Sequence, residues 1–137
     1  MTTSTLSSPS VLTRLTDLRF ALTLDAVVTG ANGAAYLVAA GALDDLLGVP
    51  TGLLRGIGTF LMVYALALGA VRTPRSISRP LAYGVVAVNA AWTLGSITVV
   101  IAGWHSPTVT GSIWIVMQAV VVAGFAELQL VGLRRTR

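Results

Sequence analysis

The chain has 137 residues, 55% of them hydrophobic and only 10% charged, and a mean hydropathy of +0.83; soluble domains carry about 25% charged residues, so this composition argues against a water-soluble fold, and the length fits one domain. The net charge is +4 and all nine basic residues are arginine, but they lie at the ends of apolar runs, which points to membrane topology and away from nucleic acid. The absence of cysteine excludes disulfides, Cys-ligated zinc, iron–sulfur clusters and thiol catalysis.

Residues 1–10, MTTSTLSSPS, read as a disordered tail and lack the basic stretch and apolar core of a cleaved signal peptide. Residues 11–137 read as a membrane domain. Leu12, Leu15 and Leu18 recur at helical spacing beside Arg14 and Arg19, a short amphipathic approach to the bilayer. Four apolar runs follow, at about residues 20–43, 53–71, 81–102 and 112–133. Each approaches or exceeds the roughly 20 residues that cross a ~30 Å hydrocarbon core as a helix. Continuous runs of this length speak against the alternating strands of a β-barrel.

The first run carries Asp25 and Asn32 within it. Its eight strong insertion formers supply about −2.4 to −4.8 kcal/mol, and one Asp at the helix centre costs about 2.5 to 3.5 kcal/mol. Such a helix is marginal alone and calls for neighbours that cover its polar side. The link 44–52 holds Leu46, Leu47 and Val49 at interface depth. Arg55 opens the second run and is expected to pair with Asp44 or Asp45, or to snorkel to headgroups. The link 73–79 is a basic turn bracketed by Pro74 and Pro80, and the link 103–111 contains Trp104, His105 and Pro107. Eight of the nine arginines fall on one side of a four-span arrangement, so the positive-inside rule puts both termini in the cytoplasm of a plasma-membrane protein. Short links favour an all-α, antiparallel four-helix bundle. Gly30 and Ala34, then Ala87, Ala91 and Gly95, then Ala119 and Ala123, form small-residue stripes for close helix packing. Gly56-Ile57-Gly58 is a packing feature and not a phosphate loop, because no strand precedes it.

The intramembrane polar residues are the candidate site. Asp25, Thr29, Asn32 and Tyr36 share one face of the first span, and Asn89, Trp92, Thr93 and Ser96 share one face of the third. At ~1.5 Å per residue, Asp25 stands about 9 Å from Arg19, Glu127 about 10 Å from Arg134, Tyr64 about 12 Å from Arg72 and Asn89 about 15 Å from Arg79. A cluster of Asp25, Tyr64, Asn89 and Glu127 in the inner half is therefore geometrically open. On the fourth span, Gln118, Phe125 and Gln129 share a face about 200° from Glu127, so one of the two faces looks outward, toward lipid or another subunit. Either Glu127 points inward, leaving the glutamines to pair between copies in a homo-oligomer, or the reverse.

The structural reading is that these groups hydrogen-bond across helices and set register. The functional reading takes Asp25, Asn32, Tyr36, Tyr64, Asn89, Trp92 and Glu127 as a polar intramembrane pocket for a small apolar or lipid-like ligand, in a binding or accessory protein. Trp92 and Tyr36 would supply walls, Asn32 and Asn89 hydrogen bonds, and the two acids, Asp25 and Glu127, a shared proton or a counter-charge. Two alternatives use the same acids: a proton-coupled small-molecule transporter, and a lipid or terpenoid isomerase or cyclase with Asp25 and Glu127 as acid and base. The spacing of His105, Asp44 and Asp45 demands no metal, and no cofactor fingerprint, zinc motif or Ser–His–Asp arrangement is present.

The stretches LDAVVTGANGAAYL, VNAAWTLGS and MQAVVVAGFAELQLVGLRR resemble small four-helix integral membrane proteins of GC-rich actinobacteria, over most of the chain from Leu18 onward. The resemblance implies a four-span membrane protein and no particular activity. In architecture the chain is also similar to DoxX-like proteins. Small multidrug-resistance transporters likewise have four spans and an acid in the first, as Asp25 is here, but their surrounding motifs are absent, and Glu127 and the basic middle turn depart from them.

Overall fold

The structure, a computed structural model, describes residues 17–135. The tail expected over 1–10, and residues 11–16 of the amphipathic approach, lie outside the described residues. Among those described, the fold is all-helical: α1 Leu18–Val38, α2 Ala40–Leu47, α3 Thr51–Arg72, α4 Arg79–Ala102 and α5 Val109–Arg135. All but α2 are long and apolar enough to cross a membrane. The shortest, α1 with 21 residues, is about 31 Å long against a ~30 Å hydrocarbon core. Large apolar side chains cover the outside of the bundle, including Val27, Leu66, Leu94, Ile101 and Val120, each more than 60% exposed. A surface of that kind suits lipid and not water.

The first apolar run differs from its expected extent. The chain bends at Ala39, and α2 continues through what the sequence suggests is a link. No proline or glycine forces the bend. Tertiary packing accounts for it: Ala40, Leu47 and Val49 are buried against Tyr36, Leu54 and Leu61. Gly48, at φ 69°, ends α2 in the left-handed conformation that glycine adopts without strain. Asp44 Oδ2 then accepts from both the backbone N–H (3.0 Å) and the hydroxyl (2.8 Å) of Thr51, which caps α3. Asp44 is thus spent on a cap, and Arg55 is exposed and makes no ion pair with Asp44 or Asp45; of the two outcomes expected from sequence, the pairing is not formed.

α1 packs along α3, and α4 along α5; the two pairs join where α1 meets α5. α3 and α4 have only a narrow contact. The α1–α3 pair is close because Gly33 and Gly58 face each other: a Cβ on Gly58 would stand 2.9 Å from the Gly33 carbonyl oxygen. The small stripe expected on α4 does something else. Ala87, Ala91 and Gly95 are exposed, and a Cβ on Gly95 would meet nothing within 4 Å. Those small residues leave space instead of making contact.

Two arginines tie helix ends together. The Arg19 guanidinium donates to the carbonyl oxygens of Arg72, Pro74 (2.7 Å) and Arg75 (3.1 Å), and Arg79 Nη1 donates to the Leu133 carbonyl at 2.9 Å. Both satisfy C-terminal carbonyls that a helix leaves unpaired. Between this arginine end and the bundle middle lies one apolar core, built from Leu18, Leu22, Leu68, Ala82, Val85 and Leu133.

Candidate functional site

Above that core, four helices contribute to a buried polar cluster. Asp25 comes from α1, Tyr64 from α3, Asn89 from α4 and Gln129 from α5. Asp25, Asn89 and Gln129 are at most 2% exposed. Asp25 Oδ2 accepts from Asn89 Nδ2 and from Gln129 Nε2, both at 2.7 Å, and its Oδ1 accepts from the Thr29 hydroxyl at 2.9 Å. Asn89 Nδ2 also donates to Gln129 Oε1 at 3.0 Å, and the Tyr64 hydroxyl donates to Asn89 Oδ1 at 3.0 Å. Among the described residues the carboxyl group is thus held by neutral donors alone. Both Asn89 N–H groups and the carbonyl oxygen of its amide are used within the cluster. A network satisfied in this way fixes register among four helices and leaves little for a ligand to bind.

Glu127 is not part of it. The expected pairing of two acids at one height gives way to Asp25 with Gln129. Residues 127 and 129 differ by about 200° around α5, so only one can face inward. The bundle takes the face that carries Ala119, Phe125, Gln129 and Leu133, all buried. Glu127 is exposed on the opposite side, along with Val120 and Val131. The glutamine face is interior, and an acid pair of Asp25 and Glu127 is not formed. Gln129 and Gln118 are the residues that sequence reading left undecided; the shared face of Gln118, Phe125 and Gln129 was the signal that could have placed them.

A second feature lies toward the other end of the bundle. A half-open cavity of about 570 Å³ fills the space where α3 and α4 diverge. Its lower boundary includes Phe60 and Trp92, whose rings stack across the α3–α4 seam with centroids 5.8 Å apart; Phe60 also stacks on Tyr64 at 6.0 Å. Its roof is the α2 end and the link carrying Trp104, His105 and Pro107. The roof is pinned by Thr108, whose N–H donates to the Leu47 carbonyl (3.0 Å) and whose hydroxyl donates to the Leu46 carbonyl (2.8 Å). His105 and Ser106 both have positive φ, 63° and 46°. The α1–α5 wall bears two polar rungs one helical turn apart. Asn32 Nδ2 donates to Gln118 Oε1 at 2.9 Å, and Trp114 Nε1 donates to the Tyr36 hydroxyl at 2.7 Å.

The seven residues singled out from sequence therefore divide three ways. Asn32, Tyr36 and Trp92 line the cavity. Asp25, Tyr64 and Asn89 form the cluster beneath it, and Thr29 belongs to both. Glu127 is remote from both. No family model, curated protein or solved structure matches the chain.

Proposed function

We propose that the protein is a multi-pass plasma-membrane protein that binds a small apolar or lipid-like molecule between α3 and α4. The observation that carries this reading is the 570 Å³ cavity, which falls within the ~300–1,000 Å³ of typical small-molecule sites and combines apolar walls with a few polar groups. The narrow contact between α3 and α4 makes the seam a lateral route from the hydrocarbon phase. The four long helices run antiparallel with both termini in the cytoplasm. Contact register supports the antiparallel part: residue numbers rise on one helix as they fall on its neighbour. Arg19 meets Arg72 and Gly33 meets Gly58; Asn32 meets Gln118 and Tyr36 meets Trp114; Arg79 meets Leu133 and Thr93 meets Ala119. Arginine placement supports the orientation.

All three tryptophans of the chain line the cavity, so intrinsic fluorescence reports on its contents. In detergent micelles, 1-bromododecane quenches the wild type saturably, and Gly95→Phe, which puts a ring where a Cβ meets open space, reduces quenching to the level of free micellar collision. Equal, non-saturable quenching in both proteins would remove the binding reading. Because the chain has no cysteine, topology is tested separately with single substitutions. An impermeant maleimide labels Asp45→Cys in intact cells, and labels Ser76→Cys only after lysis; the reverse pattern refutes the orientation.

A further inference from the structure

The Asn32–Gln118 rung carries more information than its single hydrogen bond. Each side chain has a carbonyl and an NH2 group. One N–H···O bond joins the two, from Asn32 Nδ2 to Gln118 Oε1. Among the described residues, that leaves the Asn32 carbonyl oxygen and the Gln118 NH2 without a protein partner. Both residues are half-buried and line the cavity. Turning both amides over reverses the bond but leaves the same remainder, one unpartnered carbonyl oxygen and one unpartnered NH2 group side by side. Among the described residues, every amide and carboxyl group of the polar cluster below already makes at least one bond within it.

The rung is also deep. Asn32 lies 13 residues from Arg19, about 20 Å from the arginine end and about 10 Å below the opposite edge of a ~30 Å core. Among the described residues no Asp, Glu or Arg lines the cavity, and its imidazole, His105, is at the roof. A phosphate or ammonium group drawn to that depth would be buried without a counter-charge, which is costly. A hydroxyl is cheaper to desolvate and can donate to one atom while accepting from its neighbour.

Resting on the cavity reading above, we propose that the ligand class is a neutral, long-chain or isoprenoid-like alcohol. Its hydroxyl donates to the Asn32 carbonyl and accepts from the Gln118 NH2, and its apolar body lies between Phe60, Trp92, Ala91 and Ile57 in the α3–α4 seam. The unused small stripe of α4 is what makes room for that body. Noncovalent capture is the whole event; no bond is made or broken.

The test uses full-length protein in micelles and three matched tryptophan quenchers: 12-bromododecanol, 1-bromododecane and 12-bromododecyl phosphate. Two new hydrogen bonds predict that the alcohol binds at least about fivefold tighter than the alkane, expressed as mole fraction in the micelle. The phosphate binds more weakly than the alcohol. Gln118→Leu and Asn32→Leu each remove one of the two bonds and lower the alcohol's preference over the alkane severalfold, and the double variant abolishes that preference. If wild-type protein binds alcohol and alkane alike, or prefers the phosphate, the alcohol assignment is overturned while the cavity stands. If none of the three quenches saturably, the binding reading itself fails. The wild-type comparison decides the matter even where a leucine variant does not fold.

Discussion

Replacing Asn89 with Leu tests the central packing claim most directly. The side chain is 2% exposed and makes three hydrogen bonds, to Asp25, Gln129 and Tyr64, that join α4 to the other three long helices. Leucine has the same branched shape and the same number of side-chain heavy atoms, so it leaves no cavity; its bulkier methyl groups add some overpacking to the polar loss. Interhelical hydrogen bonds in membranes average about 0.6 kcal/mol, so three predict a loss of about 2 kcal/mol, with about 5 kcal/mol as the ceiling if each reached the largest measured value. A 2 kcal/mol loss lowers the folded-to-unfolded ratio roughly 30-fold. The measurement is equilibrium unfolding in mixed micelles with rising dodecyl sulfate, followed by circular dichroism. A double-mutant cycle sharpens it: Tyr64→Phe costs about 0.6 kcal/mol in the wild type and less in Asn89→Leu, where only the Val85 carbonyl at 3.3 Å is left to accept from the hydroxyl. An Asn89→Leu loss under about 0.5 kcal/mol would show that the four-helix cluster does not hold the bundle together.

Three further outcomes are expected. Glu127→Gln shifts unfolding by less than about 0.5 kcal/mol, because its side chain faces outward, whereas Gln129→Leu loses about 1–2 kcal/mol with its two bonds; equal losses would reverse the inward face of α5. In the same unfolding assay, Gly58→Ala costs about 1–3 kcal/mol, because its methyl group would press on the Gly33 carbonyl and the Tyr36 Cβ, and Gly95→Ala is neutral, because its methyl group meets open space; matching effects would refute the close α1–α3 approach. Arg19→Gln speeds amide hydrogen exchange across residues 72–78 about tenfold, since three carbonyl contacts at the end of α3 are lost; unchanged exchange would show that the guanidinium does not secure that end.

Much of this fold was legible beforehand because a bilayer imposes simple constraints. Apolar run length and arginine spacing delimited all four long helices to within a few residues at most ends. Asp25, Tyr64 and Asn89 were legible only as members of an inner cluster with Glu127 that their heights allow, since lipid leaves a polar side chain few partners. The bend at Ala39 was not legible, because no local breaker marks it and the burial of Leu47 and Val49 drives it. Glu127 misled for a related reason: an acid in an apolar run reads as interior, but helical rotation allows either its face or that of Gln129 to turn inward.

Composition and charge alone determined that this is a helical chain suited to lipid, because hydropathy and the arginine pattern are summed along the sequence and need no knowledge of contacts. Only the tertiary structure decided that α3 and α4 part to leave a cavity, that Gln129 and not Glu127 meets Asp25, and that Asn32 and Gln118 keep a carbonyl oxygen and an NH2 group unspent. Those outcomes depend on how far each helix is rotated about its own axis, and a rotation is settled by all the neighbouring surfaces together.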